Sequence, residues 1–371
     1  MIAQGTIPEI AENKVSMIGP FLSGKADAKM RKQTAEQELF SMGIIHLSTD
    51  SIHTVKPLEV DIPKGRLTVV TGVSGSGKTT MVLESLVPGL QAVTSGGKLP
   101  AYVKAIQAEG ISHVKLIDAT PIGINVRSTV ATYANVHDEL RKVYARTAYA
   151  KNAGYKAGDF SYNTGALRCP VCDGTGEISL DVQFLPDVDI PCTECRGTRY
   201  KKEAWQIFYE NKAKKKYSLP QLMEMDVHTA LEATKDLKTV HQRLEVLEKL
   251  GLGYLTLGEE TPSLSGGEAQ RIKLATELSR RSTGKTVYIL DEPIGGVDPA
   301  SRDYILDTIL TNFNEGSSII ICTHLIADIE KILDQVIFIN QGKIVLNEDA
   351  DTIRKKKKTT IDKLFREEFK C

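Results

Sequence analysis

Two motifs that serve one kind of site lie far apart in this chain, and their separation dictates the fold. Gly72-Val73-Ser74-Gly75-Ser76-Gly77-Lys78-Thr79 fits G-x-x-x-x-G-K-[ST]. In such a loop backbone N–H groups cradle phosphates and the lysine reaches the terminal ones. Much later, the apolar run Val287-Tyr288-Ile289-Leu290 ends in Asp291-Glu292-Pro293, the pattern of a buried strand carrying acids at its end. A phosphate loop needs a strand before it and a helix after it. The β-type run Leu67–Thr71 and the helix start Thr80–Leu86 supply both. The expected fold is therefore α/β, with the residues between the two motifs forming an insertion within one core.

The insertion carries its own signal. Cys169-Pro170-Val171-Cys172 and Cys192-Thr193-Glu194-Cys195 make C-x2-C-x19-C-x2-C. That spacing lies in the zinc-ribbon range, and four thiolates close a tetrahedral structural site with no position open for water. Glycines follow each pair (Gly174 and Gly176; Gly197), as knuckle turns require. Just beyond stand Arg196, Arg199, Lys201, Lys202, Lys212, Lys214, Lys215 and Lys216, interleaved with Tyr200, Trp205, Phe208 and Tyr209. This mixture suits phosphate contact and base stacking. It equally suits a solvated face above a small core.

Composition adds bounds. Lys+Arg and Asp+Glu are both 47, so overall charge does not point to nucleic acid. No charged n-region precedes an apolar run at the start, and nothing approaches the roughly 18 apolar residues of a spanning helix. Cysteines in C-x-x-C pairs read as a metal site in a reducing compartment, and a cytoplasmic location is expected. The expected organisation is a linker or arm over 1–40, core over 41–87, an insertion over 88–254, resumed core over 255–345, and a tail over 346–371. Within the insertion we expect the cysteine module at about residues 165–202 and a helical segment from Ser218 to Leu250. The tail holds the amphipathic pattern Ile361-Asp362-Lys363-Leu364-Phe365.

Leu264-Ser265-Gly266-Gly267-Glu268-Ala269-Gln270-Arg271, between loop and acidic strand, resembles the signature of ABC-type ATPases. The fold class expected is an ABC-type P-loop ATPase core with an inserted helical and zinc-ribbon-like module. This resemblance implies a role for each residue. Gly72, Ser74, Gly75, Gly77, Lys78, Thr79 and Thr80 would hold ATP. Thr79 and Asp291 would hold Mg2+, Glu292 would act as general base, and His324 would sense the terminal phosphate. Asp298 would contact an opposing subunit. Ser265, Gly266 and Gly267 would close over ATP bound to a different phosphate loop, so the chain would pair with another copy or with a second ABC ATPase chain. Cys322 reads as a core residue and Cys371 as a terminal thiol.

Further motifs narrow the resemblance. Pro20-Phe21-Leu22-Ser23-Gly24-Lys25, Val70 to Lys78, Pro121-Ile122-Gly123, Arg127-Ser128 and Ala131-Thr132-Tyr133 are similar to the C-terminal half of UvrA, the damage-recognition ATPase of nucleotide excision repair. So are Gly154-Tyr155-Lys156, Phe184-Leu185-Pro186-Asp187-Val188, Arg199-Tyr200 and Leu264 to Leu274. The family implies ATP, Mg2+ and Zn2+ as cofactors, dimers, and ATP-modulated binding to damaged or distorted duplex DNA. The half of UvrA that docks UvrB has no counterpart, so a UvrB-type partner is not expected. Where the family has Asp-Gln-Ser-Pro-Ile-Gly, this chain has Asp118-Ala119-Thr120-Pro121-Ile122-Gly123, which predicts slow or differently coupled hydrolysis. From about residue 290 the text, notably Ile294-Gly295-Gly296-Val297-Asp298 and Thr323-His324-Leu325-Ile326-Ala327-Asp328, resembles the ATPase subunit of an ABC transporter. A transporter subunit and a non-catalytic ATP clamp or hybrid are therefore the alternative readings.

Overall fold

A computed structural model describes residues 6–13, 38–122, 125, 127–180, 188–278, 284–295, 299–312 and 316–369. In chain order its strands are β1 (Ile44–Thr49), β2 (Leu58–Pro63), β3 (Leu67–Thr71), β4 (Val103–Gln107), β5 (His113–Ile117), β6 (Glu177–Leu180), β7 (Val188–Pro191), β8 (Phe208–Glu210), β9 (Lys216–Ser218), β10 (Thr286–Asp291), β11 (Ser318–Cys322), β12 (Gln335–Asn340) and β13 (Lys343–Asp349). The chain divides into two compact units, residues 1–119 with 281–371, and residues 120–280.

The first unit is built on a six-stranded sheet of order β13-β12-β3-β11-β10-β5. Pairing is parallel from β12 through β5, and β13 adds an antiparallel edge. Parallel strands covered on both faces read as continuous apolar runs. β3 and β11 are buried at every position, and β10 at all but its last. A second sheet, β2-β1-β4, is antiparallel. Its Ile45, Leu47 and Ile62 share a core with Met81, Val82 and Leu86 and with Val70, Ile289, Ile320 and Ile337 of the larger sheet. Residues Thr80–Leu86 form widened π-type turns that continue into the helix Val87–Ser95.

The expected boundaries and the compact units differ. Residues 88–119 complete the first unit, because β5 pairs with β10 (Ile117 opposite Leu290). The signature helix Gly266–Leu278 belongs to the second unit, where it packs against the helix Lys238–Lys249. Of the expected arm, 6–13 and 38–40 are described, and Ile7–Glu12 is a short helix. The tail forms helices Ala350–Lys356 and Ile361–Phe369, with Phe365 set edge-on to the buried Phe338 at 5.6 Å.

In the second unit the expected helical segment from Ser218 to Leu250 is three helices, Leu219–Met223, Val227–Ala233 and Lys238–Lys249. Capping side chains divide it. Ser218 and Gln221 form a reciprocal capping box, and Asp226 accepts the Thr229 N–H at 2.6 Å. These helices and Val136–Tyr144 enclose a polar-aromatic core of Tyr144, Phe160, Tyr162, Tyr200 and His137. Each phenol in it has a partner, as burial demands. The Tyr144 hydroxyl donates to Tyr217 O (2.7 Å) and the Tyr200 hydroxyl to Phe160 O (2.9 Å). Since the Tyr200 proton is committed, its oxygen accepts from His137 Nε2–H at 2.7 Å, which fixes the histidine tautomer.

Burial, aided by repulsion from Arg141, lowers the His137 pKa to about 3 from 6.5. Below pH 6.5 the unfolded chain gains a proton that the folded chain refuses until about pH 3. Stability is therefore full above this window and falls through it as pH drops, by about 1.4 kcal/mol per pH unit. Urea denaturation of wild type and His137→Gln from pH 7 to 4 checks this. The mutant, which keeps a donor for Tyr200, should lose the histidine part of the slope.

Candidate functional site

β3 ends in the middle of the sheet, and the chain turns at once through the Gly72–Thr79 loop. Here glycine is a steric requirement. A Cβ on Gly72 would lie 2.2 Å from Ile339 O, and one on Gly77 (φ +108°) would lie 2.8 Å from Val55 Cγ2. Gly342 N–H, from the turn between β12 and β13, anchors the loop by donating to Ser76 O at 2.9 Å. Lys78 Nζ donates to Gly72 O (2.6 Å) and Val73 O (3.1 Å), spanning the mouth of the loop. Ser74 and Thr79 are exposed at that mouth, and Thr80 is half-buried.

The acids arrive from the neighbouring strands. Asp291 closes β10 opposite Cys322 of β11. Glu292 follows with φ +49°, a left-handed backbone that non-glycine residues adopt sparingly. Three bonds hold it there. Its N–H donates to Cys322 O (2.7 Å), Thr323 Oγ1 donates to its Oε2 (2.8 Å), and His324 Nδ1 lies 2.9 Å from its Oε1. Burial raises the Asp291 pKa, with the Glu292 and Asp118 carboxylates adding repulsion and Lys78 opposing it. Burial also lowers the Lys78 pKa, against attraction from Glu292 and Asp291. The loop lysine and the acids thus share one electrostatic environment within the first unit. The Thr79 hydroxyl and the Asp291 carboxylate are the hard-oxygen donor type that Mg2+ takes. Thr323 and Asp118 belong to this arrangement without having been singled out in the sequence; their signal was adjacency to His324 and Ala119. Asp298 and Cys371 lie outside the described residues, and Cys322 is buried as expected.

In the second unit, Ser265 caps the helix Gly266–Leu278. Its N–H and hydroxyl both donate to Glu268 Oε2 at 2.7 Å, and Tyr254, also missed in the sequence, donates to Glu268 Oε1 at 2.5 Å. Gly266 and Gly267 open the helix, and a Cβ on Gly267 would meet nothing within 4 Å, leaving the turn open to a ligand.

The four cysteines converge. Their Sγ atoms all lie within 4.8 Å of one another, with Cys169–Cys192 at 3.9 Å and Cys172–Cys195 at 3.6 Å. Tetrahedral zinc with Zn–S near 2.3 Å sets sulfurs about 3.8 Å apart, so the cluster fits that ion. The two knuckles repeat one design. Asp173 and Gly174 take φ +52° and +78°, Arg196 and Gly197 take +53° and +88°, and Thr175 and Thr198 donate to Cys172 O and Cys195 O. Residues Phe184-Leu185-Pro186-Asp187 between the pairs lie outside the described residues.

The basic and aromatic cluster that follows divides by burial. Tyr200, Tyr209 and Arg199 face inward, at 1%, 8% and 4% exposure, while Trp205 and Phe208 are exposed. Lys202 pairs with Glu194, and Lys214 and Lys216 pair with Glu210, all well exposed. Among the described residues no helix is long and apolar enough to cross a membrane.

The sheet, the glycine loop at its centre and the acids on adjacent strand ends, with a cysteine cluster in the stretch of sequence inserted between loop and acids, define an ABC-type ATPase fold carrying a zinc-type module. The comparisons specify the relationship. The chain is 38% identical over 339 residues to UvrABC system protein A of Clostridium perfringens (strain 13 / Type A), a match covering 91% of this chain and 35% of that protein. Against UvrABC system protein A of Aquifex aeolicus (strain VF5) it is 37% identical over 339 residues, covering 91% and 36%. The crystal structure of UvrA2 from Deinococcus radiodurans superposes with a TM-score of 0.78 at 31% identity, over 99% of this chain and 44% of that one. No protein-family model matches. The chain is a homologue of part of UvrABC system protein A. It spans about a third of the length of the curated relatives it matches. A match covering 91% of the chain necessarily runs through residue 290, so the similarity continues into the segment with transporter-like motifs.

Purified protein should contain one zinc per chain by metal analysis, and Cys172→Ser should lose it. Chelation should unfold the second unit at pH 7, since structural zinc contributes about 10–16 kcal/mol of apparent binding free energy in small peptides. Far-UV circular dichroism with and without chelator reads the outcome.

Proposed function

We propose that this chain binds and hydrolyses ATP with Mg2+ and couples that cycle to recognition of damaged or distorted duplex DNA, in the manner of UvrA and in the cytoplasm. The observation that carries the reading is the bonding of Glu292. A carboxylate held by both Thr323 and His324, and felt by the phosphate-loop lysine, supports a general base rather than a surface acid. Lys78 and the loop amides would take the β- and γ-phosphates. Thr79 and Asp291 would hold Mg2+, Glu292 would polarise the attacking water, and His324 would keep Glu292 oriented.

Ser265, Gly266 and Gly267 would complete a site on a second chain, either another copy or a different ABC ATPase, with Asp298 at the same junction. The residues at 120–280 would act as the inserted module, and zinc would stabilise it. Arg196, Lys201, Lys212, Lys215 and the exposed Trp205 and Phe208 are the groups we assign to DNA, through phosphate charge and base stacking. Ala119 supplies no polar atom where the family places glutamine, so turnover should be slow.

Glu292→Gln should lower kcat by about 10^2- to 10^4-fold, the usual worth of a general base, while ATP stays bound and dimers accumulate. Single-turnover assays and light scattering measure both effects, and undiminished turnover would remove Glu292 from the mechanism. ATPase assays at fixed salt, with and without damaged duplex, test the DNA coupling. A turnover indifferent to DNA would reject it.

A further inference from the structure

The two knuckles are alike until their fourth residue past the second cysteine. In the first knuckle that residue is Gly176, at φ +86°, and its N–H donates to Cys172 Sγ at 3.3 Å. In the second it is Arg199, also left-handed at φ +71°, with its N–H bonded to the Cys195 thiol. An L residue adopts such a backbone only where the surroundings over-determine it, so the arginine is there for its side chain. The residue is 4% exposed; its guanidinium lies 5.3 Å from the Tyr162 ring centroid and donates to Glu260 Oε1 at 2.5 Å. Its carbonyl accepts the Cys169 N–H at 2.9 Å, so one residue touches both cysteine pairs.

Glu260 begins the approach to the signature. Its carbonyl accepts the Ser263 hydroxyl at 2.7 Å, Thr261 N–H donates to Ser128 O at 2.9 Å, and the turn Thr261–Ser263 leads directly into Leu264 and Ser265. We infer that Arg199 and Glu260 are positioning residues which tie the cysteine module to Ser265, so that the module sets the signature serine for ATP hydrolysis. The inference rests on the proposed role of Ser265 at a partner's ATP. Two short covalent links and one ion pair, its arginine buried and its glutamate half-buried, separate the metal-type cluster from that serine. Losing Glu260 would strand the buried Arg199 charge, so the pair tolerates little displacement.

The test uses the full chain with zinc content and ATP-analogue binding measured beside turnover. Glu260→Gln, nearly isosteric, should cut kcat by about 5- to 150-fold, the usual span of coupling between sites, with zinc content and nucleotide affinity unchanged. Added to Ser265→Ala it should cause no further loss, since both act through the serine. Arg199→Lys, retaining charge without the planar fork, should fall between wild type and Glu260→Gln. Wild-type turnover in Glu260→Gln, an additive loss in the double mutant, or zinc loss in Glu260→Gln would each overturn the inference. If Ser265→Ala itself turns over like wild type, the underlying reading of the signature fails instead.

Discussion

Parallel pairing of β11 with β3 on one side and β10 on the other is the contact on which the rest depends. It places the phosphate loop, Asp291 with Glu292, and Thr323 with His324 side by side, although the sequence separates the first from the others by the whole second unit. In open parallel sheets ligand chemistry gathers at the carboxyl ends of the strands, where each strand releases its chain into a loop. The apolar runs of β10 and β11 serve this purpose. Their ladders and the burial of their side chains hold the sheet, leaving the strand ends free to carry polar groups.

Those strand ends carry three carboxylates, from Asp118, Asp291 and Glu292, against one ammonium, from Lys78. Burial disfavours charge on Asp291 and Lys78 alike, so each gains from the other and from any cation that enters. Glu292 is handled differently. Hydrogen bonds from Thr323 and His324 fix its two oxygens, which offsets the cost of its left-handed backbone. The second unit solves a separate problem. Its thiol cluster is organised by repeated knuckle turns, and its aromatic core by phenol-to-carbonyl bonds.

What could be read from the sequence was whatever depends on local spacing. The phosphate loop, the apolar strands β10 and β11, the paired cysteines and the capped signature helix all announce themselves within a few residues. What could not be read depends on partners far away. Arg199 looks like one more basic surface residue until Glu260 is placed against it, and Tyr200 looks like a stacking platform until His137 closes over its hydroxyl. The edge strand β5 has a mixed burial pattern and no motif, so nothing in the local sequence announces its place beside β10 or that residues 88–119 pack with the first unit. The break of the Ser218–Leu250 segment rested on Asp226, a cap that apolar spacing does not register.

The substitution at Ala119 can be weighed on the same electrostatic terms. A glutamine contributes a neutral amide oxygen, useful for orienting a metal or a water, but no charge. Its absence leaves the carboxylates of Asp118 and Asp291 in place, and they dominate attraction for a divalent cation in a partly buried site. Cation affinity should therefore survive the change, while alignment of the attacking water should suffer. Under the proposed reading the chain is a slow ATPase rather than a dead one. Slowness would be compatible with the proposed recognition, because a long-lived ATP-bound dimer would give a DNA-facing surface more time to discriminate before hydrolysis released it.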